Sequence, residues 1–332
     1  MLVQIILGQK LANNIYEFLT ACYLSILQKC QKLDLYMNKQ KLFIILITYN
    51  NGEAITSCLV SLHKQSWNNY RLLIIDNNSQ DNTLTIVESF LSKNQKLKSK
   101  TQLIKNRENL GFAKANNQGI KIALADNETF AVLLINPDTY FSQNLLQAGI
   151  ETLKKNPDTG ACCPKILYPN KKIWWIGTHI FTRKELFLGS TYSIAKHVNK
   201  GETLPSFSKV YKEVQALTGC AMFIRTEIIK KVGLLNEKYF MYAEDIDYSL
   251  RLSKACYKLL LFTDATVFHE IKDNRKTLGL ILQNIKKYRI YLTSTGQFLL
   301  THQPFWLFSI WVLKLPFVIS YSFLKSIYEN VF

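Results

Sequence analysis

Residues 42–50 read LFIILITYN, an apolar run rich in isoleucine that ends on polar side chains. A short run of this kind predicts a strand buried on both faces of a sheet. Further strand-like runs alternate with helical segments, in chain order at 59–65 (helical), 71–75, 83–91 (helical), 102–105, 109–122 (a loop leading into a helix) and 131–135. This alternation predicts an α/β fold with a mostly parallel sheet flanked by helices.

Polar residues follow the first two predicted strands. Thr48, Tyr49 and Asn50 come after the first, and Asp76 comes after the second. Ligands bind beyond the carboxyl ends of the strands in such sheets. A carboxylate placed there accepts hydrogen bonds from a base N–H or a ribose hydroxyl. Taken alone, however, the Asp/Asn/Ser cluster that begins at Asp76 is more typical of a turn.

Two later loops add further candidates. In the first, Asn109 precedes Gly111, and a glycine beside a polar loop lets the backbone approach a ligand closely. In the second, Asn136 and Asp138 follow the most apolar strand. One carboxylate on a rigid turn, together with substrate phosphates and water, suits Mg²⁺ or Mn²⁺.

An acidic cluster, Glu244, Asp245 and Asp247, lies near a predicted helix start. Asp245 or Glu244 could act as the general base for an acceptor hydroxyl. Asp247 and Arg251, four residues apart, could form an ion pair within the helix. The alternative without a catalytic role is that the whole cluster is an acidic helix N-terminus, which the helix dipole favours.

His269 ends an apolar run. A lone histidine is more often structural than a ligand. As a neutral imidazole it could nevertheless complete a metal site.

The composition limits the kinds of molecule that the protein is expected to bind. The 332 residues carry a formal net charge of +17, which indicates polyanions: nucleic acid, anionic lipid or phosphate-bearing substrates. We expect no nucleic-acid partner, because the lysines are dispersed and no aromatic-basic recognition module is evident. The seven cysteines have neither C-x-x-C nor zinc spacing, which indicates reduced thiols in a cytosolic setting.

Both ends of the chain lack the alternation of strands and helices seen in the middle. No signal peptide is evident at the N-terminus. Residues 1–40 show helical periodicity and predict an amphipathic extension that lies on a membrane or packs against protein. Pro304–Leu324 is long enough to span a bilayer, but Lys314 and Pro316 interrupt it. Interfacial or re-entrant attachment is therefore favoured over a span, because a central lysine costs about 2.5–3.5 kcal/mol on insertion.

The order of the motifs resembles glycosyltransferase family 2, which has the GT-A fold, and most of all its rhamnosyltransferase-like branch. The stretches NLGFAKANNQGI (109–120), INPD (135–138) and FMYAEDIDYSLR (240–251) match phrases typical of that branch. The resemblance covers about residues 41–275. It implies a catalytic domain over that range, with residues 276–332 as a hydrophobic, membrane-associated region.

The resemblance also implies roles for individual residues. Asp245 would be the catalytic base with Glu244 beside it, while Asp138 and His269 would hold Mg²⁺ or Mn²⁺. Asn136 would replace the first aspartate of the family's D-x-D element. The implied donor-binding set is Thr48, Tyr49, Asn50, Asp76, Asn109, Gly111 and Asn136. Lys272 and Arg275 would serve as cationic clamps.

The implied function is an inverting transfer of rhamnose or another hexose from a nucleotide-diphospho-sugar to a hydroxyl of a cell-surface glycan or lipid-linked acceptor. Such a step belongs to polysaccharide or cell-wall biosynthesis. The expected location is the cytoplasmic face of the plasma membrane, at an anionic lipid surface, with peripheral or C-terminal attachment. The alternative is a catalytically weak, nucleotide-sugar-binding scaffold subunit of a polysaccharide assembly complex.

The sequence departs from the family in two places. Cys256 stands where a glycine is frequent, so we expect a strained or altered turn there. The segment after His269 lacks the usual serine-containing basic loop.

Overall fold

The computed structural model describes residues 40–188, 193–207, 210–270 and 278–316, with the side chains of 278–287 excepted. The predictions for residues 1–39, for Lys272 and Arg275, and for residues 317–324 lie outside the described residues. The elements from Leu42 onward belong to one compact unit.

The described part of the chain contains twelve strands and ten helices, whose bounds follow. The strands are β1 Lys41–Thr48, β2 Tyr70–Asp76, β3 Thr101–Lys105, β4 Thr129–Ile135, β5 Thr139–Phe141, β6 Thr159–Leu167, β7 Ile173–Trp175, β8 Thr178–Ile180, β9 Ala195–His197, β10 Tyr211–Glu213, β11 Ala221–Arg225 and β12 Lys258–His269. The helices are α1 Ile55–His63, α2 Thr83–Lys93, α3 Gln95–Lys98, α4 Gly111–Ala125, α5 Leu145–Lys155, α6 Arg183–Leu188, α7 Thr226–Val232, α8 Glu244–Lys254, α9 Leu278–His302 and α10, residues 305–316.

Ten of these strands form one sheet, in the order β10-β12-β6-β11-β4-β1-β2-β3, with β5 paired to β12 and β7 to β6. The pairs β1–β2, β2–β3 and β6–β12 are parallel, whereas β11 runs antiparallel to both β4 and β6. The first predicted strand is the centre of the core, since residues 42–46 are at most 4% exposed. The predicted α/β class, with a curled, mostly parallel sheet flanked by helices, is confirmed.

The register of the sheet places the polar motifs at one edge. Thr48 pairs with Asp76 at the ends of β1 and β2. Because β11 is antiparallel to β4, its first residue, Ala221, lies opposite Ile135 at the end of β4. The loop that precedes β11 therefore reaches the same edge from the opposite direction.

The cysteines of the described residues are free thiols. Cys58, Cys162, Cys163 and Cys220 are buried, as expected for small core residues. Burial raises the pKa of Cys58 to about 12, so its thiol stays protonated and unreactive. Cys256 is the exposed exception.

Cys256 occupies the position that ends α8. The Cys256 N–H donates to Ser253 O (3.0 Å) and the Tyr257 N–H donates to Leu252 O (3.1 Å), a pair of bonds known as the Schellman motif. That motif needs a left-handed residue, and Cys256 has φ +63°. The turn therefore keeps the geometry of a glycine-ended helix without a glycine. The left-handed backbone of Cys256 is the strain that the sequence predicted.

Replacing Cys256 by glycine should stabilise the protein. Left-handed geometry costs a residue with a Cβ about 1–2 kcal/mol, and glycine's greater unfolded-state entropy returns about 0.5–1 kcal/mol of that. We therefore expect Cys256→Gly to raise the free energy of unfolding by up to about 1 kcal/mol in denaturant titrations. Cys256→Ala is the control, because it removes the thiol but keeps the Cβ. Equal stability of the two variants would contradict this explanation.

The C-terminal helices α9 and α10 come from the region predicted to be membrane-associated. Among the described residues, no helix combines the length and the apolar character that crossing a bilayer requires. Parts of α10 are nonetheless exposed and apolar, including Phe305 at 71% and Leu313 at 71%.

Candidate active site

A cavity of about 1530 Å³ opens at the carboxyl ends of β1, β2 and β4. Nine of the eleven residues that the sequence predicted for the site line it: Tyr49, Asn50, Asn109, Gly111, Asn136, Asp138, Glu244, Asp245 and His269. Thr48 and Asp76 do not line it and are at most 1% exposed. Residues up to 244 positions apart in sequence, from Ile47 to Tyr291 (291 − 47 = 244), therefore meet at one site.

Asp76 holds its own turn together. Ser79 donates to both carboxylate oxygens, from its hydroxyl (2.5 Å) and from its backbone N–H (3.0 Å). The side chain of Asp76 thus stabilises a turn, one of the two roles that the sequence left open. A contact with a nucleotide base stays a prediction. Asn50 has φ +54°, and its side-chain oxygen accepts from the Gln80 N–H at 2.8 Å. These bonds tie the ends of β1 and β2 into one rigid rim.

Gly111 is the point at which the loop that contains Asn109 contacts residues 239–243, the loop directly before the acidic cluster, which we call the acidic loop. It has φ +77°, and a Cβ built on it would lie 2.4 Å from Phe240 O. The neighbouring Phe112 N–H donates to the same oxygen at 2.6 Å, and Asn109 Oδ1 accepts from the Gly111 N–H at 2.9 Å. Only a residue without a side chain permits this contact. The sequence predicted that this glycine lets the backbone approach a ligand; the contact seen is with the backbone of Phe240, and a donor contact stays a prediction.

Asp138 and His269 lie together, as the sequence predicted. Asp138 Oδ1 is 3.7 Å from His269 Nε2 and has no hydrogen-bond partner among the described residues. Burial raises the pKa of Asp138 and lowers that of His269. The ring of Trp174 stacks on His269 with centroids 4.5 Å apart, which fixes the orientation of the imidazole.

These two side chains fit a divalent cation in a limited sense. A buried carboxylate oxygen without a partner is costly unless something positive or a donor binds it. Over the described ranges, no group of three or more His, Cys, Asp or Glu side chains could hold a metal ion. The protein would therefore supply an oxygen and a nitrogen, and phosphate oxygens and water would complete the shell, as Mg²⁺ and related ions often prefer.

The carboxyl groups of Glu244 and Asp245 stand at the first turn of α8. Asp245 Oδ2 accepts from the Gly219 N–H (3.1 Å) and Oδ1 from the Ile246 N–H (2.8 Å). Glu244 is 5% exposed, and its Oε2 has no partner among the described residues. Burial raises the pKa of both groups, and the charge of Asp245 raises the pKa of Glu244 further. A raised pKa makes a carboxylate a better proton acceptor near neutral pH.

The backbone just before these acids is strained. Tyr242 and Ala243 have φ +69° and +68°, two successive left-handed residues without glycine. Each costs about 1–2 kcal/mol. Such strain persists only where surrounding contacts enforce it, and it is concentrated at functional sites. The left-handed turn directly precedes α8, whose first residues, Glu244 and Asp245, line the cavity.

The side of the cavity opposite the β1 and β2 rim is formed by residues that the sequence did not single out. They come from the irregular segment 169–213 and from α9: Trp174, Thr178, Ser193, Ala195, Lys196, His197, Lys200, Tyr288 and Tyr291. Burial, helped by the nearby Lys200, lowers the pKa of His197 to about 4, so it is neutral at physiological pH. Loops that vary on a rigid scaffold often carry substrate choice. Nothing in the local pattern marked Tyr291.

Comparison with known proteins bears on this arrangement. The sequence profile of the family described as "Glycosyl transferase family 2" matches residues 43–233, more than half of the chain. N-acetylglucosaminyl-diphospho-decaprenol L-rhamnosyltransferase of Mycobacterium tuberculosis is 24% identical over 245 residues, which is 68% of this chain and 75% of the relative. Low-salt glycan biosynthesis hexosyltransferase Agl10 of Haloferax volcanii is 25% identical over 143 residues, 43% of each chain.

A solved structure shares the architecture. The crystal structure of GalNAc-T7 with UDP, GalNAc and Mn²⁺ superimposes with a TM-score of 0.56 at 13% identity. The match covers 70% of this chain and 44% of that one, so this chain spans less than half of that protein's length. At this identity the likeness concerns the fold alone, and it confirms the GT-A type expected from the sequence.

Proposed function

The chain belongs to glycosyl transferase family 2 and is a glycosyltransferase of the rhamnosyltransferase-like type, and from that premise we propose that it performs an inverting transfer at the cavity described above. The donor would be a nucleotide-diphospho-sugar of rhamnose or another hexose. The acceptor would be a hydroxyl of a glycan or of a lipid-linked sugar. The M. tuberculosis relative is named for a diphospho-decaprenol acceptor, which supports the lipid-linked alternative.

One observation carries the proposal: the cavity joins a carboxylate suited to accept a proton with a carboxylate suited to hold a cation. Asp245 is held by two backbone N–H groups and has a raised pKa. Asp138 presents a buried oxygen without a partner among the described residues. Both line the same space.

The proposed chemistry is a single displacement. Asp245 removes the proton from the acceptor hydroxyl as its oxygen attacks the anomeric carbon. The bond from that carbon to the diphosphate oxygen breaks, and its electron pair leaves with the nucleoside diphosphate. One displacement inverts the anomeric configuration. Glu244, which is more buried and has a pKa raised well above its ordinary value, would remain protonated beside the base.

Asp138 and His269 would hold Mg²⁺ or Mn²⁺. Bound there, the cation would offset the negative charge of the departing diphosphate. The Mn²⁺ named with GalNAc-T7, a protein of similar fold, is consistent with this assignment.

The proposal is tested by a donor screen. Purified protein is incubated with UDP-, dTDP- and GDP-sugars, with Mg²⁺, Mn²⁺ or EDTA, and nucleoside diphosphate release is followed together with thermal shift. We expect one nucleotide class to be hydrolysed or transferred only when metal is present. Donor binding without turnover, with any acceptor supplied, would instead favour the scaffold alternative.

We also propose an anionic bilayer as partner, at an exposed surface that we call the apolar rim: Phe187 and Leu188 of α6 with Phe305, Trp306 and Leu313 of α10. Their exposed fractions lie between 47% and 71%. The rings of Phe187 and Trp306 pack edge to face, with centroids 6.2 Å apart, so α6 and α10 form one surface. An exposed apolar patch of this kind is typical of an interaction site.

Charge complementarity argues for lipid as the occupant of the apolar rim. Arg183 and Lys184 are exposed beside the apolar residues of α6, and Lys314 contacts Phe187 from α10. Apolar residues flanked by cations, in a chain of net charge +17, suit the interface of an anionic membrane. The segment that follows α6 and the helix that precedes α10 also line the cavity, through Ser193 and Tyr291. An acceptor held in a membrane would thus enter on this side. The plasma membrane's cytoplasmic face remains the proposed location.

Vesicle sedimentation tests the apolar rim. The double variant Phe305→Ser, Leu313→Ser should bind vesicles with 30% anionic lipid at least tenfold more weakly than wild type, because two apolar side chains lose their burial. Val210→Ser is the control, since Val210 is 46% exposed but lies outside the rim. Unchanged vesicle binding by the double variant, or a dimer in gel filtration that the double variant dissolves, would refute lipid as the occupant.

A further inference from the structure

Helix α9 contacts the acidic loop, residues 239–243, through three kinds of interaction. Ser294 donates a hydrogen bond to Met241 O at 2.7 Å. The ring of Tyr291 lies against that of Tyr242, with centroids 5.8 Å apart. Phe298 and Leu299, at most 1% exposed, pack in one cluster with Tyr239 and Ala243. This acidic loop contains both strained residues and ends directly before Glu244.

The last residue of α9 reaches the first turn of α8. His302 Nε2 lies 2.7 Å from Asp247 Oδ1, and the two side chains are 5% and 1% exposed. Because an ionised carboxylate only accepts hydrogen bonds, the imidazole donates from Nε2. The other oxygen of Asp247 accepts from Arg251 Nε at 2.9 Å, the ion pair that the sequence predicted. Burial would raise the pKa of Asp247, but these bonds outweigh it and the pKa is lowered.

Arg251 extends the connection to the other side of α8. Its two terminal nitrogens donate to Val232 O (3.1 Å) and Leu234 O (2.8 Å). Asp247 is therefore a buried charge fixed between the end of α7 on one side and the end of α9 on the other. Removing either partner would take one hydrogen bond from a buried carboxylate.

We infer that α9 supports the catalytic site from outside it, and that its last residue, His302, is a positioning residue that holds the first turn of α8, and with it Asp245, in its catalytic orientation. This inference rests on the proposed function and deepens it. His302 does not line the cavity, so it acts through Asp247. Ser294 holds the preceding acidic loop in the same way, through Met241 O. The strained conformation of Tyr242 and Ala243 needs such outside contacts, and α9 supplies them.

The test compares His302→Ala with His302→Gln in the full-length chain. We expect His302→Ala to lower kcat at least tenfold, with the KM for the donor changed less than twofold, because the donor-side residues are untouched. His302→Gln keeps a donor near Asp247 and should recover kcat to within threefold of wild type. Leu300→Ala, at a residue 49% exposed on the same helix, is the control and should match wild type.

Hydrogen exchange separates this inference from the proposed function. In His302→Ala, amides of residues 239–247 should exchange at least tenfold faster than in wild type, while those of β1 and β2 keep their rates. This readout needs no activity, so it decides the positioning role even if wild type shows no transfer. If His302→Ala does not fold, Ser294→Ala replaces it. Unchanged exchange over 239–247, or a His302→Gln variant as slow as His302→Ala, would overturn the inference.

Discussion

Asp245→Asn should lower the rate of sugar transfer by about 10³-fold and leave donor affinity within twofold of wild type. Asparagine has the shape of aspartate, and its oxygen can still accept from the Gly219 N–H that now binds Asp245 at 3.1 Å. The bond from the Ile246 N–H to the other oxygen is lost, because an amide nitrogen does not accept hydrogen bonds. It cannot take a proton from the acceptor. A positioned general base contributes about 10²–10⁴-fold, which sets the expected size of the loss. Transfer kinetics and donor titration of the same preparation measure the two effects.

Glu244→Gln is the matched control, since it removes a neighbouring carboxyl group by the same kind of change. Because burial and the charge of Asp245 raise the pKa of Glu244 well above its ordinary value, the neutral amide resembles the protonated side chain. We expect at most a tenfold loss of transfer. A larger loss of transfer in Glu244→Gln than in Asp245→Asn would show that Glu244, and not Asp245, is the base.

Gly111→Ala should have the second largest effect, on both stability and transfer. Its Cβ would lie 2.4 Å from the backbone oxygen of Phe240, so one of the two loops must move. Left-handed strain, after the offset from glycine's greater unfolded-state entropy, costs up to about 1 kcal/mol. With overpacking of about 1–3 kcal/mol, the expected loss in the free energy of unfolding is about 1–4 kcal/mol. Displacement of the acidic loop by about 1 Å would cost transfer about 100-fold.

Gly201→Ala separates backbone strain from the loop contact. Gly201 also has a left-handed φ, +86°, but a Cβ there meets nothing within 4 Å. We expect it to cost up to about 1 kcal/mol of stability, as for the reverse exchange at Cys256, and to leave transfer per folded molecule unchanged. Denaturant titration and transfer assays of both variants decide the matter. Similar transfer in the two variants would show that the contact between Gly111 and Phe240 is not needed for catalysis.

The sequence could predict the first half of the sheet because local signals agree with the fold there. The run at 42–47 is apolar and β-branched, and it lies at the centre of the sheet. Parallel strands end at one edge, so Asp138 and the residues after β1 could be placed together before any coordinates. The strained turn at Cys256 could also be predicted, because a helix commonly ends on a glycine in the left-handed conformation and Cys256 occupies that position.

The rest depends on contacts that local patterns do not encode. The insertion of β11 between β4 and β6 brings the Gly219 N–H to Asp245, 26 residues away in sequence. His302 reaches Asp247 across 55 residues. Tertiary packing decides both of these contacts. The turn in which Ser79 donates to Asp76 is local, and the sequence left it open beside a donor contact, which stays a prediction.

The most direct measurement of the central claim is the anomeric configuration of the product, read by NMR with the donor identified in the screen. With metal present, wild type should give the anomer opposite to that of the donor, and Asp245→Asn should form it about 10³-fold more slowly. A product that retains the donor's configuration, formed at an undiminished rate by Asp245→Asn, would contradict a single displacement with Asp245 as its base.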